Sequence, residues 1–139
     1  MIHLDTSVLV DALTTERRSA ANLRAALAEG EILNISVLVL FEWLRGPRRP
    51  EELALADRLL PRDLAVHFGL QEAEQAARLY RAVRRPRSRE IDLAIAACAL
   101  TANASLWTLN PEDFADIPGL VLYEPPATKR FVGRTGSSQ

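Results

Sequence analysis

The stretch that decides the fold is Met1-Ile2-His3-Leu4-Asp5-Thr6-Ser7-Val8-Leu9-Val10. Its apolar residues 2–4 predict a short buried strand, and Thr6 or Ser7 can cap a helix that follows. In open α/β sheets ligands bind beyond the carboxyl ends of the strands, so Asp5 is well placed to hold a metal ion. A single acid after a strand is more often a turn or cap residue, and this stretch alone favours that simpler interpretation.

The composition is that of one ordinary globular domain. The chain has 139 residues, of which 48% are hydrophobic and 25% charged, and this is enough to bury a core. Its net charge of −1 argues against binding of duplex nucleic acid through overall basicity. A single cysteine excludes an internal disulfide framework, no leader pattern is visible, and no apolar run could span a membrane. We therefore expect a cytoplasmic protein with no membrane partner.

Strand-like and helical segments alternate along the chain. Beyond the first strand and helix, the patterns predict strands over 31–35, 64–67, 105–108 and 120–123. They predict helices over 16–30, 37–45, 48–60, 70–84 and 93–100. Such alternation predicts an α/β fold with a central, mostly parallel sheet and helices on both faces. We assign 1–124 to a single domain and 125–139 to a mobile or partner-bound tail.

The helix predicted over 37–45 carries the second acid of interest, Glu42. Four residues at spacing i, i+3, i+4 and i+7 predict its core face: Val37, Leu40, Phe41 and Leu44. Glu42 lies beside this face. It is either one half of a surface ion pair with Arg45 or a ligand that points toward the space above Asp5.

The third acid, Asp92, lies in the first turn of a helix that is apolar on all sides, which predicts a buried central helix. The helix dipole favours an ionised carboxylate there, whether or not it binds a metal. Cys98 lies deep in the same run and is predicted to be packing rather than a nucleophile. The strand over 105–108 is followed by a polar turn that contains Asn110 and Asp113.

Six arginines precede the third acid within twelve positions: Arg78, Arg81, Arg84, Arg85, Arg87 and Arg89. A run of charge is usually a solvated face. This one is also positive enough to bind a phosphate backbone or an acidic partner peptide.

Four acids thus lie just after a predicted strand, on the helix that follows one, or at the start of the central helix. They are Asp5, Glu42, Asp92 and Asp113, and we call them the acidic cluster. The carboxyl ends of parallel strands meet at one edge of a sheet, so these side chains are predicted to share a pocket. Clustered carboxylates raise one another's pKa unless a cation is present. Oxygen ligands without cysteine or histidine favour a hard divalent ion, Mg²⁺ or Mn²⁺.

These motifs resemble those of PIN-domain ribonucleases, in particular the VapC toxins of bacterial VapBC toxin–antitoxin pairs. The resemblance is carried by residues 2–10, by Ser36 with Glu42 and Gly46, by 92–97 and by 108–114, and it covers roughly 2–123. It implies a PIN-like three-layer fold in which Asp5, Glu42 and Asp92 are the core acids. Asp113 would be the fourth, although some members place an acid where this chain has Asn110. Thr6 or Ser7 would support the site by hydrogen bonding.

The resemblance also implies an activity, namely metal-assisted hydrolysis of RNA phosphodiesters by Mg²⁺ or Mn²⁺, which inhibits translation and growth. Single-stranded or looped RNA is the expected substrate, because a small domain has no evident means of reading a duplex groove. Family members usually form homodimers and pair with a VapB-like antitoxin. The arginines expected to contact RNA or the antitoxin are Arg84, Arg85, Arg87 and Arg89.

Three alternatives remain open from the sequence. The chain could be an inactive PIN-like scaffold that binds a partner, although its acids are intact. It could be a phosphatase of the haloacid-dehalogenase type with Asp5 as nucleophile, but such enzymes carry a second acid two residues on, where this chain has Ser7. A DNA-directed nuclease is disfavoured by the small size of the chain.

Overall fold

The sheet at the centre of the molecule has three parallel strands in the order β2-β1-β3. They are β1 (Ile2–Leu4), β2 (Leu33–Asn34) and β3 (Ser105–Trp107). The computed structural model describes residues 1–14 and 18–126. The predicted α/β class and parallel sheet are confirmed.

Six α-helices lie within the described residues, and they are α1 (Thr6–Thr14), α2 (Arg18–Ala28), α3 (Val37–Arg45), α4 (Pro50–Leu59), α5 (Leu70–Ala82) and α6 (Glu90–Thr101). Short 3₁₀ turns cover Arg62–Leu64 and Pro111–Asp113. None of the described helices is long and apolar enough to cross a membrane. The predicted start of the second helix at residue 16, and the predicted tail from 127 onward, lie outside the described residues.

Two of the predicted strands are reduced to single bridges. Val66 pairs with Ser36, and Leu122 pairs with Leu106, each in the parallel sense. Val66 accepts a hydrogen bond from the Val37 amide and donates one to Ile35, but the chain reaches it from a 3₁₀ turn, so no longer ladder forms. The strand predicted over 31–35 is likewise only two residues long.

Helix α6 is the buried centre of the fold, as the sequence predicts. All seven residues from Leu93 to Ala99 are buried, and the helix packs against α3, α5 and β3. Its alanines let these neighbours approach closely, and Asp92 lies in its first turn.

The core face predicted for α3 is wrong. Phe41 is 58% exposed and Leu44 40% exposed, whereas Val39 and Trp43 are buried. The helix is apolar at nearly every position, so helical spacing fits more than one face. What the spacing missed is the anchoring of Trp43, whose ring is covered by the Arg48 guanidinium at 4.2 Å. Ser36 caps this helix by accepting a hydrogen bond from the Val39 amide at 3.2 Å.

For α5 the helical spacing predicts one side formed by Ala73, Ala76, Ala77, Tyr80 and Val83. In the structure Val83 is buried as predicted, but Leu79 is buried in place of Tyr80, which is 37% exposed. Glu72 fastens the start of α5, because it accepts hydrogen bonds from the Gly69 amide at 3.0 Å and from the Thr101 hydroxyl of α6 at 2.9 Å.

Candidate active site

Asp5 lies where β1 ends and α1 begins. Its amide donates to the carbonyl of Trp107 at 2.9 Å, which extends the pairing of β1 with β3 by one residue. Its own carbonyl accepts hydrogen bonds from the amides of Val8 and Leu9, and these begin the helix. The side chain is buried, at 6% exposure, at the carboxyl end of the central strand.

Two hydroxyl groups hold the Asp5 carboxylate in place. Ser7 donates to Oδ2 at 3.0 Å and Thr108 donates to the same oxygen at 2.8 Å. Each hydroxyl also accepts a backbone hydrogen bond of 3.0 Å, Ser7 from Leu109 and Thr108 from Asn110. No hydrogen bond from a described residue reaches Oδ1, which leaves that oxygen available to a cation.

Glu42 is held near Asp5 by Thr6, the residue that follows Asp5 in the chain. The Thr6 hydroxyl donates to Glu42 Oε1 at 2.5 Å, so α1 and α3 are joined at this point. The alternative ion pair is also present, but Arg45 Nη2 lies 3.6 Å from Oε2 and its side chain is 62% exposed. A long, exposed pair of this kind contributes little to stability.

The pKa of Asp92 depends on its burial and on the charges of the other three acids. The pKa of Asp92 is raised to about 6, chiefly by burial and in addition by the charges of Asp5, Asp113 and Glu42, while the charge of Arg89 lowers it. The structure therefore brings the whole acidic cluster within electrostatic range of one carboxyl. Within residues 1–14 and 18–126, however, no three acidic, cysteine or histidine side chains are arranged so that they could hold a metal ion without movement.

The residues of the polar turn after β3 are more exposed than the other site residues. Asp113 ends the 3₁₀ turn Pro111–Asp113 with its side chain exposed, and Asn110 occupies the N-cap position of that turn without a capping hydrogen bond from its side chain. Asn110 contributes its backbone amide, which donates to Thr108, rather than its side chain.

The predicted arginine contacts separate into two kinds. Arg84, Arg85 and Arg87 are exposed and form no ion pair with any residue in the described part of the chain. Arg89, in contrast, forms a bidentate pair with Asp116 at 3.0 and 2.6 Å.

The surroundings of Cys98 and His3 do not activate either side chain as a nucleophile. Burial raises the pKa of the Cys98 thiol to about 11, so it stays protonated at neutral pH. His3 is buried with Nε2 unpartnered, and burial together with the charge of the N-terminus lowers its pKa to about 4. The protonated thiol matches the packing role predicted for Cys98, and the neutral, enclosed imidazole of His3 is equally unsuited to chemistry.

The acidic cluster fits a hard divalent cation in its chemistry. Its donors are carboxylate oxygens, and the pKa of Asp92, raised chiefly by burial, is raised in addition by repulsion from the other acids, which a bound cation would remove. We therefore expect Asp92→Asn to stabilise the metal-free protein.

A shift of one pKa unit corresponds to about 1.4 kcal/mol, and allowing for the part of Asp92 that reaches solvent we expect about 1 kcal/mol at pH 7 in EDTA. Because the charged form is the one disfavoured by folding, the gain is present above pH 6 and shrinks as the pH falls toward 3.8. Thermal unfolding of both proteins, with and without Mn²⁺, measures it. A variant less stable than the wild type in EDTA would contradict this account.

The chain is similar to proteins of known family along most of its length. The PIN domain matches residues 2–120. Ribonuclease VapC19 of Mycobacterium tuberculosis is 34% identical over an alignment of 130 residues that covers 88% of this chain and 97% of that protein.

Solved structures show the same fold. VapBC2 from Rickettsia felis, bound to a DNA fragment from its promoter, aligns with a TM-score of 0.69 and 26% identity over 88% of this chain and 98% of that one. DNA-bound VapBC from Salmonella typhimurium aligns with a TM-score of 0.71 and 22% identity over 88% and 96%.

Proposed function

Since the chain belongs to the PIN-domain family, we propose that it is a metal-dependent endoribonuclease and the toxin of a toxin–antitoxin pair. The observation that carries this proposal is that hydrogen bonds from the adjacent Thr6 and Ser7 hold Glu42 and Asp5 together at the carboxyl end of β1. The charges of Asp5, Asp113 and Glu42 also add to the effect of burial in raising the pKa of Asp92. Asp5, Glu42, Asp92 and Asp113 are the proposed ligands of Mg²⁺ or Mn²⁺, with Thr6, Ser7 and Asn110 in supporting roles.

The side chains of the site have different roles in the proposed hydrolysis. When bound, the divalent ion would lower the pKa of an attacking water and stabilise charge on the phosphate oxygens. Asp5 presents its free Oδ1 because Ser7 and Thr108 occupy Oδ2, and Thr6 orients Glu42. Arg84, Arg85 and Arg87, which form no ion pair with any described residue, can hold the RNA backbone or an antitoxin segment.

The proposed partners are RNA, a VapB-like antitoxin and a second copy of the chain. VapBC assemblies among the structural relatives support an antitoxin. A homodimer is supported by a groove of about 490 Å³ between α3, α5 and α6, whose lining is mostly apolar and includes the exposed Phe68, Tyr80 and Ile91. We place the activity in the cytoplasm, where translation occurs.

Two alternatives have less support. A phosphatase with Asp5 as nucleophile would need an acid at position 7, where Ser7 instead donates a hydrogen bond to Asp5. An inactive scaffold would not need Asp5, Glu42 and Asp113 to lie close enough to Asp92 for their charges to add to the effect of burial on its pKa.

The test is cleavage of a single-stranded RNA by the purified chain. We expect cleavage with Mg²⁺ or Mn²⁺, none after removal of divalent ions with EDTA, and recovery when Mn²⁺ is restored. A DNA strand of the same sequence is the matched substrate and should not be cut. Cleavage that persists in EDTA, or DNA cut as fast as RNA, would overturn the proposal.

A further inference from the structure

The guanidinium of Arg89 forms hydrogen bonds within the protein rather than pointing freely into solvent. Nη1 donates to Asp116 Oδ2 at 3.0 Å, and Nη2 donates to Asp116 Oδ1 at 2.6 Å and to the Asp113 carbonyl at 3.0 Å. A fourth, longer hydrogen bond of 3.5 Å joins Nη1 to the Arg85 carbonyl. A guanidinium has five N–H donors, so little of this one is left for a phosphate.

These hydrogen bonds join two parts of the acidic cluster. Arg89 immediately precedes α6, and Asp92 lies three residues further on in its first turn. Asp113 and Asp116 belong to the turn after β3, which is anchored on its other side by the buried Phe114 and Ile117. Arg89 is therefore the direct polar link between the start of α6 and the backbone that carries Asp113.

The pair has the geometry of a specific contact. Both carboxylate oxygens of Asp116 are engaged by different nitrogens of one guanidinium, and the Arg89 side chain is only 20% exposed. Such a planar, bidentate arrangement fixes orientation as well as distance, and lysine cannot reproduce it.

We propose that Arg89 and Asp116 form a positioning pair, which holds the Asp113 backbone against the first turn of α6 so that Asp92 and Asp113 can share one divalent cation. This inference rests on the proposed function, since it requires the acidic cluster to bind a cation. It also separates Arg89 from Arg84, Arg85 and Arg87, because Arg89 then acts on the site and not on RNA.

Arg89 and Asp116 could affect Mn²⁺ binding by positioning the site or only through their charges, and the two cases predict different Mn²⁺ affinities for the variants. If only charge matters, Arg89→Gln removes a nearby cation and tightens Mn²⁺ binding, Asp116→Asn weakens it, and the double variant leaves it unchanged. If the pair positions the site, all three variants bind Mn²⁺ more weakly. Loss of a supporting hydrogen-bond partner typically costs about 10- to 100-fold in metal affinity, and we expect about 10-fold for each.

The first experiment is calorimetric titration of the full chain with Mn²⁺. Arg62→Gln is the matched control, since it breaks a different arginine–aspartate pair, the exposed one with Asp57 at 2.9 Å, and should leave Mn²⁺ affinity unchanged. Arg89→Lys keeps the charge without the bidentate geometry and should fall between Arg89→Gln and the wild type. Tighter binding by Arg89→Gln, or an unchanged double variant, would overturn the inference.

The second experiment measures RNA cleavage by the same proteins as a function of Mn²⁺ concentration. We expect Arg89→Gln to need about 10-fold more Mn²⁺ for half-maximal rate, with the KM for RNA unchanged. If Arg89→Gln raised the KM for RNA and excess Mn²⁺ did not restore it, Arg89 would be an RNA contact. That result would overturn the positioning role of Arg89 but not the proposed function. A wild-type chain that binds no Mn²⁺ would overturn the proposed function as well, so the two failures are distinguishable.

Discussion

Replacing Asp5 with asparagine is expected to abolish RNA cleavage while the protein remains folded. The amide oxygen of asparagine can accept the hydrogen bonds that Ser7 and Thr108 now donate to Oδ2, so the local structure has no reason to change. The amide nitrogen then replaces Oδ1, the oxygen without a partner, and cannot bind a cation. Since loss of a supporting residue already costs about 10- to 100-fold, loss of a direct ligand should reduce the cleavage rate by more than about 100-fold.

The measurements are the cleavage rate of single-stranded RNA at saturating Mn²⁺ and the growth of cells that express each variant. Growth arrest should be relieved by Asp5→Asn. Glu74→Gln is the control for loss of one negative charge, because Glu74 is exposed on α5 and outside the acidic cluster. If Asp5→Asn cleaved RNA at the wild-type rate, Asp5 would not be a metal ligand.

The sequence predicts the elements near the site well and the helix faces less well. The strand at Ile2–Leu4 and the buried helix α6 are both confirmed, because their patterns admit one interpretation each. Helix α3 is apolar almost throughout, so its periodicity could not show that Trp43 is buried and Phe41 exposed. That choice depends on contacts such as the one from Arg48, which lies in the following loop.

The acids of the candidate site and the neighbouring hydroxyls Thr6 and Ser7 are visible in the sequence, but the orienting groups that come from distant parts of the chain are not. Asp5, Glu42 and Asp92 can be found because each follows a strand or occupies a helix turn near a predicted sheet edge. Thr108 lies 103 residues from Asp5, and Asp116 lies 27 residues from Arg89, so only the folded chain reveals these pairs. The signal that could have found Thr108 is a hydroxyl residue at the end of the strand that pairs with β1.

Thr108 has the geometry of a residue that fixes a ligand rather than one that binds the ion. Its hydroxyl donates to Asp5 Oδ2 at 2.8 Å and accepts from the Asn110 amide at 3.0 Å, so its one proton is committed to the carboxylate. Ser7 supports the same oxygen from α1, which means that Asp5 is held from both sides. Loss of either hydroxyl would let the Asp5 carboxylate rotate.

Thr108→Val is therefore expected to lower Mn²⁺ affinity and the cleavage rate at limiting Mn²⁺ by about 10- to 100-fold. Valine keeps the shape of threonine but cannot donate to Asp5, and it leaves the Asn110 amide without its present acceptor. Calorimetric titration with Mn²⁺ and the metal dependence of RNA cleavage measure the two effects. Thr108→Ser is the matched control, since it retains the hydroxyl and should bind Mn²⁺ nearly as the wild type does. Wild-type affinity in Thr108→Val would mean that Ser7 alone orients Asp5.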